Sequence, residues 1–294
     1  MTKSTSPQAR KSWRRREFLQ SAALGAAAAP LALRKAAGLD RVGDPPAAAS
    51  PLRLPLGLAS YSLRAFPLDR VIAMTKRVGL ERIVLKSVHL PLETPEPAIA
   101  EAAARVRASG LDLYGCGVVY MTSEAEVNQA FRYARAAGMR LIIGAPAPEV
   151  LGLVDRKVKE FGIGMAIHNH GPDNNLYPTP ADAYKLIQGL DLRIGLCIDI
   201  GHTLRAGVEP SAAAEQCADR LLDVHIKDVT AASKAGQAVE IGRGVIDIPK
   251  FIRTLVRIKY AGALSFEYEK DESDPLPGLA ESVGYVRGVM AALS

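Results

Sequence analysis

The histidines and acids best suited to catalysis in this chain all follow short apolar stretches. All five histidines take such positions, as do three acids, and together these residues are His89, His168, His170, Asp199, His202, His225, Glu267 and Glu269. Imidazole nitrogens combined with carboxylates suit a divalent ion such as Mn²⁺, Zn²⁺, Co²⁺ or Fe²⁺, whereas Mg²⁺ and Ca²⁺ prefer oxygen ligands. These residue types predict a site for one divalent metal ion.

Three successive motifs carry the pattern most clearly. In each, an apolar run reaches a potential ligand, and these ligands are Asp199 in CIDIGH, His225 in VHIKD and Glu267 in ALSFEYE. A single acid at such a place is more often a helix cap or part of a surface ion pair. The repetition at three strand ends favours a common metal site.

Two pairs of residues are spaced for a common face. Side chains alternate along a strand, so His168 and His170 should point the same way, as should Glu267 and Glu269. One member of each pair can then lie deeper in the site than the other.

The elements that must position these residues alternate regularly after residue 52. Predicted strands cover residues 54–60, 82–86, 111–118, 140–144, 164–168, 193–199, 221–226 and 263–267. Predicted helices cover residues 68–78, 98–109, 124–137, 148–161, 179–189, 210–217, 247–258 and 279–292. Proline at helix starts (Pro180, Pro210) and glycine at helix ends (Gly110, Gly162) support these bounds.

Eight strand–helix units predict an α/β fold, a single (β/α)8 TIM barrel over residues 51–294. An open doubly wound sheet is the competing architecture, but the first strand is followed by ASYSLR and not by a glycine-rich phosphate-binding turn. Barrel enzymes build their sites at the carboxyl ends of the strands, which is where the polar residues fall.

The first 50 residues resemble an export signal followed by a linker. The motif SWRRREFLQ at residues 12–20 is typical of a twin-arginine signal, and an apolar stretch over residues 21–33 is too short to span a bilayer comfortably. We therefore expect engagement of the twin-arginine translocase, a periplasmic or otherwise exported location, and no stable membrane insertion.

The net charge of +6 is confined to this leader. Residues 1–50 contain nine of the 37 Lys and Arg residues but three of the 31 acids, so the remainder is balanced. A nucleic-acid partner is not expected, because phosphate backbones are bound by excess positive charge.

At these residues the sequence resembles the sugar phosphate isomerase/epimerase superfamily, the xylose isomerase-like barrels, and in particular its exported members. The resemblance runs from residue 52 to the end and is carried by IHNHG, IDIGH, VHIKD, GRGVID and SFE. It implies metal ligands Glu, Asp, His and Glu at the ends of strands 5 to 8. Asp199, His225 and Glu267 match the last three, whereas His168 stands where the family has glutamate. His202 corresponds to a substrate contact.

These observations predict a metal-dependent isomerase or epimerase that acts on a sugar or keto-sugar through an enediolate. The base is Glu267, with His170, or Lys86 together with His89, as the other candidate for proton transfer. Candidate substrate-binding residues are His202, Lys227, Arg243 and Glu269.

Three alternatives stay open. The pair Lys86 and His89 fits a lyase that removes the glycosidic group of a 3-keto-glycoside by β-elimination. The missing glutamate at position 168 fits a non-catalytic sugar-binding or accessory barrel. A metal-dependent hydrolase or phosphodiesterase is disfavoured on nucleic acid by the neutral charge of residues 51–294. For each of these functions except the hydrolase or phosphodiesterase, the expected partner is a small carbohydrate. A homo-oligomer is also compatible with the sequence.

Overall fold

A computed structural model describes residues 54–294. The signal and linker predicted for residues 1–50 lie outside the described residues and stay a prediction. The strands are β1 (Leu56–Ala59), β2 (Arg82–Leu85), β3 (Asp112–Met121), β4 (Leu141–Pro146), β5 (Gly164–His168), β6 (Ile194–Asp199), β7 (Leu221–Ile226), β8 (Asp228–Val229), β9 (Ala238–Val239) and β10 (Ala263–Phe266).

Eight of these strands form a closed barrel. They are ordered β1-β10-β7-β6-β5-β4-β3-β2, and each pairs in parallel with its neighbours. Parallel neighbours require crossover connections, which the intervening helices supply. The predicted (β/α)8 barrel is confirmed.

The helices are α1 (Leu68–Arg77), α2 (Glu96–Ala108), α3 (Glu124–Ala136), α4 (Leu151–Phe161), α5 (Pro180–Ile187), α6 (Ile200–Arg205), α7 (Pro210–Gln216), α8 (Ile248–Arg257) and α9 (Leu276–Ala292). Local sequence sets several ends. Ser123 and Glu126 form a capping box at α3, and Gly162 (φ 68°) ends α4 in the left-handed conformation. None of the helices within residues 54–294 combines the length and hydropathy needed to cross a bilayer.

Two elements near the site differ from the sequence prediction. Helix α6 follows β6 directly, where only the later helix over residues 210–217 was expected, and the short hairpin β8–β9 follows β7. The cause of the first is local: Asp199 accepts the amide proton of His202 at 2.8 Å and so caps α6. The hairpin depends on distant contacts, because the Asp228 carboxylate accepts the amide protons of Gly242, Gly244 and Ile246.

The core has two parts. A large apolar cluster joins strands and helices and includes Leu58, Ile142 and Ile198. A smaller cluster contains Val84, Tyr114, Ile143, Ala166, Cys197 and Ala263. Because Cys197 alternates with Asp199 on β6, and Ala166 with His168 on β5, this smaller cluster forms the floor beneath the polar residues.

Candidate metal centre and active site

Four buried side chains converge at the carboxyl ends of consecutive barrel strands. One ligand atom each from His168, Asp199, His225 and Glu267 lies within 4.8 Å of all the others. His168 Nε2 is 3.1 Å from His225 Nδ1, which is 3.4 Å from Glu267 Oε2. We refer to these four residues as the quartet.

Strand register brings the quartet together. Asp199 pairs with His225 across β6 and β7, and His225 pairs with Ser265 across β7 and β10. Glu267 lies two residues beyond Ser265, so it points to the same side of the sheet. Neighbouring strands thus bring residues that are far apart in sequence to one level of the barrel.

The quartet fits a divalent metal ion. Of the atoms that face the quartet, Asp199 Oδ2 is buried and makes no hydrogen bond among the described residues, although Lys227 Nζ lies 3.2 Å from it. Buried polar atoms without partners are rare in folded proteins, because each costs free energy unless a ligand or ion satisfies it. Two imidazoles and two carboxylates are donors that Mn²⁺, Zn²⁺, Co²⁺ and Fe²⁺ accept.

A lysine contacts the same carboxylates. Lys227 is 3% exposed, and its Nζ lies 3.2 Å from Asp199 Oδ2, 3.0 Å from Glu267 Oε2 and 3.1 Å from Glu269 Oε2. The alternation Asp223, His225, Lys227 along and beyond β7 directs it into the barrel. The ammonium provides the charge that makes the burial of these acids tolerable.

The charges in the cluster set opposite pKa shifts on its two acids. Burial raises the pKa of Asp199 to about 6, although Lys227 opposes this shift. Burial also acts to raise the pKa of Glu267, but the charges of Lys227 and His225 outweigh it and hold that pKa well below its usual value. Glu267 is therefore the more firmly ionised of the two carboxylates.

The backbone behind Asp199 is held by a buried amide. Asn169 accepts the Asp199 amide proton at 3.0 Å and donates to Thr203 Oγ1 at 3.1 Å. The Thr203 hydroxyl in turn donates to the Asp199 carbonyl at 2.6 Å. This network ties the end of β5 to β6 and α6, and so fixes His168 and Asp199 relative to each other.

Asp223, which the sequence analysis did not identify, lies beneath His225. Its Oδ2 is 3.7 Å from His225 Nε2, the ring nitrogen that faces away from the quartet. Tyr114 donates to Oδ1 at 2.9 Å and the Cys197 thiol donates to Oδ2 at 3.4 Å. Burial raises the pKa of Asp223 to about 6. The only sequence signal is the period of two that puts Asp223 on the face of His225.

His170 and His202 lie above the quartet, and both are half-buried. Burial lowers the pKa of His170 to about 4 and that of His202 to about 2, so both rings are neutral near pH 7. The Tyr120 hydroxyl is 3.0 Å from His170 Nε2, and His202 Nε2 is 3.5 Å from Lys227 Nζ. Both histidines are thus part of the polar group around the quartet.

Lys86 and His89 are placed differently from each other. Lys86 Nζ donates to the Val118 carbonyl at 3.0 Å. Burial lowers the pKa of Lys86 below its usual value, although the charges of Glu267 and Glu269 oppose this shift. His89 has partners for both ring nitrogens: Ser60 Oγ lies 2.8 Å from Nδ1, and the Leu63 carbonyl 3.2 Å from Nε2. This arrangement favours a structural role for His89.

Arg243 is not brought to the site. Its side chain is 62% exposed and pairs with Glu281 of α9, with Nε 2.5 Å from Oε1. The GRGVID segment that contains it is anchored through backbone amides to Asp228 and not through the guanidinium. The sequence motif therefore reflects loop anchoring.

A pocket of about 640 Å³ opens next to the quartet. It includes three of the predicted substrate-binding residues, His202, Lys227 and Glu269, and the hairpin strand β9 forms one wall. Sequence reasoning missed the other polar or aromatic residues of its lining, which are Tyr61, Arg64, Arg205, Gln237 and Lys270. They come from the segment after β1, the end of α6, the turn before β9 and the segment after β10, and they carry no shared spacing that could have marked them.

The barrel agrees with the family to which the sequence matches. Residues 125–289, more than half of the chain, match the model of the xylose isomerase-like TIM barrel family. The chain belongs to this family.

One curated relative is the rhizopine catabolism protein MocC of Rhizobium meliloti, which is 28% identical over 144 residues. That alignment spans 44% of this chain and 44% of MocC, so it covers less than half of either protein.

Solved structures extend the comparison of the fold. An L-ribulose 3-epimerase superposes with a TM-score of 0.67 at 20% identity, covering 81% of this chain and 94% of the epimerase. The IolI protein, solved with a zinc atom, superposes with a TM-score of 0.69 at 14% identity, covering 81% and 99%. At these identities the likeness concerns the barrel alone.

Proposed function

We propose that this protein is a divalent-metal-dependent isomerase or epimerase of a sugar or keto-sugar. The observation that carries the proposal is the buried quartet of two imidazoles and two carboxylates, whose ligand atoms lie within 4.8 Å of one another beside a polar pocket. Family membership, the L-ribulose 3-epimerase fold and the zinc atom of IolI support it. His168, Asp199, His225 and Glu267 would hold the ion, which would supply a Lewis acid for a substrate oxygen.

Glu267 is the first proton-transferring group in this proposal. Lys227 and His225 keep its pKa well below the usual value, so the carboxylate is ionised at neutral pH. The accepted proton is the one on the carbon next to the substrate carbonyl.

His170 is the second proton-transferring group. Its ring is neutral because burial lowers its pKa to about 4, and it stacks against Tyr120 with ring centroids 5.4 Å apart. A neutral imidazole can accept a proton from the substrate and return it in a later step. Lys86 is the alternative, because its amine carries a lowered pKa.

Exchange of substrate hydrogen for deuterium tests the proposal. Metal-loaded protein in D₂O, given a panel of ketoses and aldoses, should incorporate deuterium beside the carbonyl, as measured by NMR. Glu267→Gln should abolish incorporation, whereas Glu281→Gln, at an exposed acid that pairs with Arg243, should not change it. Sugar binding without exchange would instead support the binding or accessory protein.

The same assay separates the two candidates for the second group. If His170 returns the proton, His170→Gln should reduce exchange strongly while Lys86→Met retains most of it. The reverse order would assign the role to Lys86.

A lyase is the second candidate function. Lys86, an amine with a lowered pKa near Glu267 and Glu269, is the observation that favours it, and a probable 3-DHS dehydratase from Bacillus anthracis shares the fold (TM-score 0.63, 14% identity). On a 3-keto-glycoside, loss of the C2 proton and of the glycosidic oxygen would form a double bond and release an alcohol. Release of that alcohol, lost in Lys86→Met, would establish the lyase.

Export remains part of the proposal. We expect the full chain to appear in the periplasm of a bacterial host, and the double variant Arg15→Lys, Arg16→Lys to stay in the cytoplasm, as measured by cell fractionation. Equal amounts of the two proteins in the periplasm would contradict a twin-arginine signal.

A further inference from the structure

The feature that the proposed function leaves unexplained is the position of Lys227. Its ammonium contacts carboxylate oxygens of two quartet residues, Asp199 Oδ2 at 3.2 Å and Glu267 Oε2 at 3.0 Å. It is 3% exposed, so water screens these contacts little. Lys227 thus provides a positive charge where the quartet would hold a metal ion.

The oxygens contacted by Lys227 are those that a metal would use. Asp199 Oδ1 already accepts the amide proton of His202 at 2.8 Å, so Oδ2 is the oxygen left for an ion. Glu267 Oε2 is also the oxygen that faces His225 Nδ1 at 3.4 Å. An ion bound to these atoms would lie within a few ångströms of the ammonium, and like charges at that range repel strongly in a buried site.

A third acid, Glu269, also pairs with the Lys227 ammonium. Glu269 Oε2 lies 3.1 Å from Nζ and is not part of the quartet, and its side chain is 31% exposed on the pocket side. The aliphatic part of Lys227 packs against Gly201, where an added Cβ would come within 2.9 Å of Cγ. Gly201 thus restricts the stem on one side, whereas Nζ already contacts Glu269 and can keep that partner when it leaves the quartet oxygens.

We propose that Lys227 is a built-in counter-ion that competes with the metal for Asp199 and Glu267. Without metal, its ammonium neutralises the two buried carboxylates and stabilises the barrel. Metal binding takes Asp199 and Glu267 from Nζ and leaves Glu269 as its partner, so the measured metal affinity is the free energy of binding the ion less that of losing these two ion pairs. The inference rests on the proposed metal site, and it concerns binding and not turnover.

The test compares Zn²⁺ and Mn²⁺ binding by wild type and Lys227→Met after removal of bound metal with a chelator. Isothermal titration calorimetry should show affinity for both ions raised on the order of tenfold or more in Lys227→Met, because a buried like charge has been removed. The metal-free variant should melt at a lower temperature than metal-free wild type. Lys270→Met is the matched control, since Lys270 lines the same pocket but pairs with Glu240.

A second variant keeps Lys227 in place. Glu269→Gln removes the acid that pairs with the ammonium when metal occupies the quartet, so it should weaken Zn²⁺ binding. This test holds even if Lys227→Met does not fold. Unchanged or weaker binding in a folded Lys227→Met, or unchanged binding in Glu269→Gln, would overturn the competition while leaving the metal site intact. No binding to any of the proteins would overturn the metal site itself, and the competition with it.

Discussion

Asp223 Oδ2 lies 3.7 Å from His225 Nε2, the ring nitrogen opposite the one that faces the quartet. Ligating histidines usually direct their second nitrogen towards a carboxylate or carbonyl, which fixes the ring and raises its basicity. Both residues are fully buried, and Tyr114 and Cys197 hold the carboxylate from below. The two groups are too far apart for a hydrogen bond, so we expect Asp223 to orient His225 through the attraction between their charges.

We expect Asp223→Asn to lower metal affinity about 10–100-fold, the usual effect of removing such a partner. Titration calorimetry with Zn²⁺ measures it. Tyr114→Phe, which keeps the carboxylate but removes one donor to it, should have a smaller effect. An Asp223→Asn protein that is folded and binds zinc as tightly as wild type would contradict the positioning role.

A comparison of His168 with the nearby His202 tests which of these histidines binds the metal ion. Elemental mass spectrometry should find about one divalent ion per chain in wild type and much less in His168→Ala, because a site with three protein ligands holds the ion less well. His202→Ala should keep its metal, since His202 is outside the quartet although its Nε2 lies 4.0 Å from Asp199 Oδ2. Equal metal content in the two variants would argue against His168 as a ligand.

Removal of metal should lower the melting temperature. A ligand that binds only the folded state at 100 times its Kd stabilises by about 2.7 kcal/mol, which for a domain of this size corresponds to a shift of about 5–10 °C. Differential scanning calorimetry of chelator-treated and Zn²⁺-loaded protein measures it. The absence of any shift with all four candidate ions would count against the metal site.

Acid should destabilise the metal-free protein between about pH 6.5 and pH 4. Burial lowers the folded-state pKa of His170 to about 4 and of His202 to about 2, whereas the unfolded chain titrates both near 6.5. Below pH 6.5 the unfolded state therefore binds protons that the folded state does not, and stability falls as the pH drops. Asp199 and Asp223 oppose this trend, since a raised pKa favours the folded state when the carboxyl is protonated.

Thermal melts across this range measure the effect. The melting temperature should fall less steeply with acid in His202→Gln than in wild type, because one titrating ring is gone. Parallel curves for the two proteins would show that His202 is not the source.

His89 should prove structural and not catalytic. Its two ring nitrogens bond Ser60 and the Leu63 carbonyl, so His89→Ala leaves the buried Ser60 hydroxyl with the Lys86 amide as donor but without its acceptor, and should cost about 1–3 kcal/mol of stability. Deuterium exchange into accepted sugars should persist below the lowered melting temperature. Lost exchange at an unchanged melting temperature would restore His89 as a proton-transferring residue.

The barrel and much of the site could be deduced from the printed residues. Alternation of strand and helix patterns is a local property, and eight repeats of it leave few architectures. Because barrel strands are parallel, residues that end each strand meet at one rim, and this places His168, Asp199, His225 and Glu267 together. Their role as ligands stays a prediction.

Other features depend on the folded chain, because they arise between segments that are distant in sequence. Alternation puts Asp223, His225 and Lys227 on one face of the strand. The folded barrel then places Asp223 beside His225, and it places Lys227 where it forms ion pairs with Asp199 and Glu267. Arg243 illustrates the converse: its motif looked functional, yet the loop turns its side chain towards Glu281. Local pattern fixes which way a side chain faces along its own strand, whereas depth and partners follow from packing against elements far away in the chain.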